Sequence, residues 1–135
     1  MEIRGKAAVI TGAGGDGSGR AIACRLAREG AAVVVGDINE TGGLETVRRI
    51  EAAGGKALFH RADVREEQQM HDLIDFSEQS LGGLDVLVNN ASGPEYRPDA
   101  PLELWNEIVQ TDLLGTCTEP DLRLTGCVAE VAEPS

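Results

Sequence analysis

Positive charge, aromatic rings and cysteine are all scarce in this 135-residue sequence, and each shortage removes a class of function. Twelve Lys and Arg stand against 23 Asp and Glu, a formal net charge of −11. Such a surface cannot neutralise a phosphate backbone or an anionic bilayer, so neither nucleic acid nor a membrane is an expected partner. Any phosphate the protein holds must be held by backbone amides. Aromatic residues make up 3% of the chain, so its core must be mostly Val, Ile, Leu and Ala. Cys24, Cys117 and Cys127 have neither metal-ligand nor redox-pair spacing and are too few for a disulfide framework. They read as free thiols in a reducing cytoplasm, the expected location. No apolar run approaches the roughly 18 residues of a membrane span, and the opening Met-Glu-Ile-Arg-Gly lacks the apolar core of a signal peptide.

What is present is glycine, 17 residues of it, and short β-branched runs alternating with helical periodicity. A chain of this length fits one domain, and the alternation is that of βαβ units feeding a parallel sheet. The first strand is read at Ala7–Thr11 and its helix at Ser18–Glu29, with Ile22, Ala23 and Leu26 inward and Gly30 as the stop. The second strand, Ala32–Asp37, leads to a helix with Leu44, Val47, Ile50 and Ala53 on one stripe, ended by Gly54-Gly55. The third, Lys56–Ala62, precedes a helix with Met70, Leu73, Ile74 and Ser77 on one face, broken at Gly82-Gly83. The fourth strand is read at Leu84–Asn89. A last helix, about Leu102–Leu114, carries Trp105, Ile108, Val109 and Asp112 at helical spacing, which predicts an inward stripe. Residues 1–116 form the expected domain, and 117–135 an irregular tail of poor order.

The segment Thr11-Gly12-Ala13-Gly14-Gly15-Asp16-Gly17-Ser18-Gly19 lies between the first strand and its helix, where a glycine-rich turn lets amides approach a pyrophosphate at the helix N-terminus. Gly12, Gly14 and Gly17 have the dinucleotide spacing, and Gly19 adds a glycine at the helix start. Asp37 ends the second strand, placed to accept hydrogen bonds from adenosine ribose hydroxyls. Its charge would repel a 2′-phosphate, so NAD is expected over NADP.

Over about Gly5 to Thr116 these motifs resemble the short-chain dehydrogenase/reductase family. The resemblance rests on the Thr-Gly-x-x-x-Gly-x-Gly-like turn at Thr11–Gly19, on Asp63-Val64 after the third strand, and on Asn89-Asn90-Ala91 after the fourth. It implies a Rossmann-like doubly wound α/β fold, a parallel sheet of about four βα units in strand order 3-2-1-4. It further implies that Asp63 binds the adenine amino group, that Val64 flanks the ring, and that Asn90 and Ala91 lie beside the cofactor. Asp112 stands where the family carries an asparagine that orders a water relay. A helix-end Asp turned to solvent is the other reading of that position.

Three features depart from the family. The glycine turn is one residue longer. Asp16 inside it puts negative charge near a dianionic ligand, which weakens binding unless the side chain points outward. Ser92 replaces the last glycine of Asn-Asn-Ala-Gly, although Gly93 follows. The family's chemistry also needs a tyrosine, a lysine four positions on that lowers its pKa, and an orienting serine. The only tyrosine is Tyr96, followed at that spacing by Ala100, and the only lysines are Lys6 and Lys56. His60 and His71 lack metal-ligand partners in the sequence, and Glu66-Glu67 suits a helix N-terminal turn.

Two functional readings follow. The first is an NAD(H)-dependent alcohol/ketone oxidoreductase truncated before its catalytic residues, with a substrate only in a full-length form. The second is a non-catalytic NAD or adenosine-nucleotide-binding module. A phosphoacceptor receiver domain shares the α/β pattern but needs an acidic cluster by the first strand, which is missing. In the order 3-2-1-4 the fourth strand is an edge without Lys, Pro or a bulge signal, so self-association through it is expected.

Overall fold

The computed structural model describes residues 2–94 and 97–115, so the tail 117–135 and Tyr96 lie outside the described residues. Strands β1 (Ala7–Thr11), β2 (Ala32–Asp37), β3 (Lys56–Arg61) and β4 (Val86–Val88) pair in parallel in the order β3-β2-β1-β4. The Rossmann-like α/β arrangement expected from the sequence is the one observed. Every residue of β1 is buried, the signature of a parallel strand covered on both faces.

Side-chain alternation divides the core in two. Ala8, Ile10, Val33, Val35, Ala57 and Val86 pack with Ala23 and Ala27 of α1 (Ser18–Arg28) and Ile50 of α2 (Glu40–Ala52). Val9, Val34 and Leu87 point the other way, onto Met70, Leu73 and Ile74 of α3 (Glu67–Leu81). The face read for α3, Ser77 included, is the buried one, and Gly82 caps that helix in the left-handed conformation.

Of the stripe read for α2, Val47 and Ile50 face the core as expected, and Leu44 and Ala53 are corrected. Leu44 is 50% exposed and Ala53 is the exposed C-cap, whereas Gly43, Thr46 and Ile50 are buried. The helix packs close to the sheet: a side chain on Gly43 would collide with the Phe59 ring, and the Thr46 hydroxyl donates to the Ala13 carbonyl at 2.6 Å. Those contacts make Gly43, Thr46, Val47 and Ile50 the face that α2 lays on the sheet.

β4 is three residues long, not six. On its N-terminal side Asp85 meets the start of β1, its amide donating to the Ala7 carbonyl and its carboxylate accepting from the Ala7 amide. Beyond Val88 the chain turns to Thr11. The helix after β4 is also shorter: α4 covers Leu102–Ile108 and continues as a π-helix over Val109–Leu114. A π-helix bonds i to i+5 and loses the 3.6-residue register. Trp105 and Ile108 are accordingly half-buried while Val109 and Asp112 are exposed, which corrects the inward stripe.

No helix among the described residues is long and apolar enough to cross a membrane.

The packing of α2 makes a direct prediction. Ile50→Ala removes a fully packed side chain and should cost about 2–5 kcal/mol, whereas Leu44→Ala should stay within roughly 0.5 kcal/mol. Urea denaturation of both variants measures this, and equal losses would put Leu44 in the core with Ile50.

Candidate functional site

The strands end together at one side of the sheet, and the Thr11 hydroxyl organises that end. It donates to the Val88 carbonyl at 3.3 Å and accepts from the amides of Asn90 and Ala91 at 3.1 and 3.2 Å. The Asn90 side-chain amide donates to the carbonyls of Thr11 and Gly12, both at 3.1 Å. Asn90 is thereby fixed to the glycine turn as well as lining the cleft beside it. Close approach dictates glycine here. Gly12 has φ +69° and a Cβ on it would lie 2.6 Å from the Ala91 Cα. A Cβ on Gly19 would collide with the Asn90 amide.

After the turn, α1 begins with Gly17 as N-cap and without a side-chain cap. The first amides of a helix have no carbonyl partner within it and carry the positive end of its dipole. Gly17, Ser18 and Gly19 present that end to a cleft of about 610 Å³ at the C-terminal ends of the strands. Gly14 sits behind it. Its amide donates to Asp37 Oδ2 at 2.7 Å, and its carbonyl accepts from Arg20 at 3.1 Å. Of the four glycines read from spacing, Gly12, Gly17 and Gly19 line the cleft, with Gly15 beside them, and Gly14 shapes the turn.

Asp37 lines the cleft from the end of β2, with its second oxygen accepting from the Asn39 amide at 2.8 Å. Asn39 in turn caps α2 by accepting from the Gly42 amide. At the end of β3, Asp63 and the buried Val64 form the next stretch of wall. Arg65 grips Asp63 with two nitrogens, at 2.9 Å from Nε and 2.7 Å from Nη2, and approaches Glu107 of α4 at 3.7 Å. The guanidinium holds the Asp63 carboxyl below its ordinary value, against the opposing effect of partial burial. Ala91, Ser92 and Gly93 close the far side. There the exposed Asp112 accepts from the Gly93 amide, tying the π-helix to the loop after β4.

Arg20 is the functional residue that sequence reasoning misses. Only 8% exposed, it donates to the Thr46 hydroxyl at 2.8 Å and to the carbonyls of Gly14 and Gly42, both at 3.1 Å, and it pairs with Asp16. The spacing of Asp16 and Arg20, four apart at a helix start, is the signal that could have found it. Asp16 points outward, its side chain 85% exposed. The histidines lie elsewhere, His71 within 3.7 Å of Glu67 on α3 and His60 tilted against Phe76.

Comparison with known proteins converges on one family. The model for the short chain dehydrogenases matches residues 6–119. The 7alpha-hydroxysteroid dehydrogenase of Escherichia coli strain K12 is 44% identical over 103 residues, covering 76% of this chain and 40% of that enzyme. A 7 alpha-hydroxysteroid dehydrogenase solved with NADH and 7-oxo glycochenodeoxycholic acid is 38% identical, with a TM-score of 0.78 over 87% of this chain and 47% of that one. A short chain dehydrogenase from Mycobacterium smegmatis superposes with a TM-score of 0.81 at 32% identity, over 87% of this chain and half of that one. The chain thus spans less than half the length of the curated relative and about half that of the solved structures. A family-model match over most of the chain, joined by relatives of this identity and fold, makes this chain a member of the short-chain dehydrogenase family.

Proposed function

We propose that this chain is the cofactor-binding half of an NAD(H)-dependent dehydrogenase/reductase that exchanges hydride between the nicotinamide and an alcohol or ketone. One observation carries the reading: a single cleft is lined by the uncapped start of α1, by Asp37 from β2 and by Asp63-Val64 after β3. These are the groups a dinucleotide needs, spaced along one wall. The uncapped amides suit the pyrophosphate. Asp37 is placed to accept ribose hydroxyls, Asp63 the adenine amino group, and Val64 and Ala91 to flank the rings. Asn90 holds the glycine turn against that wall. Asp112 takes the position of the family's asparagine, and its bond to Gly93 would support the loop beside the nicotinamide.

A bound nicotinamide would supply the hydride chemistry, while the chain's own residues bind and orient it. Within these 135 residues no tyrosine has a lysine four positions on, so we propose that this chain binds the cofactor without turning over a substrate. The second reading, a nucleotide-binding module without chemistry, differs only in whether further residues complete the site. A cytoplasmic location fits isolated thiols and is part of the same proposal.

NAD should bind at least tenfold more tightly than NADP, because a 2′-phosphate would meet the Asp37 carboxylate at like charge, a difference of about 1.4 kcal/mol or more. Calorimetry checks this, and Asp37→Ala should narrow the ratio even where it weakens both by freeing the Gly14 and Asn39 amides. No alcohol-dependent NADH formation is expected from the chain alone. Equal affinities for the two cofactors would remove Asp37 from the ribose site.

Asp63→Ala should weaken NAD about tenfold, the value of one charge-assisted hydrogen bond, and leave nicotinamide mononucleotide, which lacks adenine, unchanged. Parallel titrations separate the two. Equal losses would place Asp63 outside the adenine site.

Among the described residues β4 is an edge strand with Val86 and Leu87 buried on opposite faces. Its three residues can offer a second copy few ladder bonds, and very short edges are themselves a protective device. Self-association through it should therefore be weak and concentration-dependent. Light scattering over a hundredfold dilution series tests this, and a monomer throughout would overturn it.

A further inference from the structure

The glycine turn carries an acid, and beneath it lies an arginine with most of its surface buried. We infer that Asp16 and Arg20 form a charge-neutralised clasp, in which Arg20 positions the phosphate-facing turn and Asp16 limits its pull on an anion. The inference rests on the pyrophosphate reading of the cleft.

Arg20 ties the glycine turn to helix α2. Its Nη2 reaches the carbonyls of Gly14 in the turn and Gly42 in the first turn of α2, and its Nε reaches the Thr46 hydroxyl. That hydroxyl passes the hold to the turn by donating to the Ala13 carbonyl. The Gly14 peptide is consequently fixed from both sides, its amide on Asp37 and its carbonyl on Arg20. With that peptide oriented, the amides that follow it are committed to the cleft. A planar fork of donors can make this set of contacts, and the point charge of a lysine cannot.

Neutral acceptors satisfy the guanidinium's hydrogen bonds but leave its charge uncompensated. Asp16 supplies the compensation from solvent, with Arg49 standing 3.9 Å from the same oxygen. A bound diphosphate would feel the sum of Asp16 and Arg20. An acid that reads in sequence as a repulsive defect is thus the partner of a buried cation.

The test uses calorimetry on the full chain with adenosine, ADP and NAD. Asp16→Asn should tighten ADP and NAD about threefold to tenfold by unmasking Arg20, with adenosine unchanged. The gain should vanish near 1 M salt, where the screening length is about 3 Å. Arg20→Lys keeps the charge but loses the fork, and should weaken ADP and NAD about tenfold while adenosine shifts less than about threefold. A wild-type chain that binds ADP no better than adenosine would overturn the pyrophosphate reading, and the clasp with it. A wild-type chain that does gain from the diphosphate, with Asp16→Asn leaving that gain unaltered, overturns the clasp alone. Because the Asp16 side chain is exposed, Asp16→Asn decides between these outcomes even where Arg20→Lys fails to fold.

Discussion

Everything in the cleft depends on a steric constraint at the end of β1. The loop after β4, the start of α1, the end of β2 and the first turn of α2 converge on one turn, and at Gly12, Gly14, Gly19 and Gly42 there is no room for a side chain. A Cβ on Gly12 would strike Ala91, one on Gly14 would lie 2.8 Å from the Asp37 carboxyl carbon, and one on Gly42 would collide with the Gly14 carbonyl. Glycine at these positions brings backbone within hydrogen-bonding distance of backbone. The network through Thr11, Asn90 and Asp37 then locks the arrangement. Packing and this network together determine which amides face the cleft, before any ligand enters it.

Electrostatics works within that packing. With a net charge of −11, the chain has no surplus of surface cations with which to hold an anion. What faces the cleft instead is a helix start, with one guanidinium behind the turn whose charge Asp16 offsets. Burying that guanidinium is tolerable because its donors are satisfied and its charge has a nearby partner. Arg65 follows a different logic at the next wall. It is more exposed, it pairs with Asp63, and it reaches toward Glu107, so it links the Asp63 wall of the cleft to α4.

Sequence reasoning reaches the strand order, the glycine turn and the face of α3 because each has a local physical signature. A fully buried parallel strand is apolar on both sides, and Met70, Leu73, Ile74 and Ser77 recur with helical period. On α2 it finds Val47 and Ile50 but not the rest of the buried face, which is decided by hydrogen bonding and ring packing. Thr46 and Gly43 are inward for reasons that no hydropathy pattern encodes, and Leu44 is exposed despite its apolarity. β4 reads too long because Leu84 and Asn89 look like strand, while Asp85 and Asn90 pair with β1 through side chains. Arg20 escapes notice for a related reason. Charged residues near a helix start are normally solvated, and only the three-dimensional convergence of α1 and α2 reveals this one as buried.

The π-helix after α4 adds the last step. Widening the helix at Val109–Leu114 turns Asp112 out of the stripe of Trp105 and Ile108 and onto the Gly93 amide. The loop after β4 is then held at both ends, by Thr11 through the amides of Asn90 and Ala91 and by Asp112 through Gly93. Ser92, which replaces a family glycine, lies between those two anchors. A residue flanked so closely by fixed amides need not itself be glycine for the loop to keep its course, because its neighbours determine the path. The Asn-Asn-Ala-Ser-Gly segment is in this way anchored beyond Ser92 by the Asp112 carboxylate. That acid serves the site by supporting backbone.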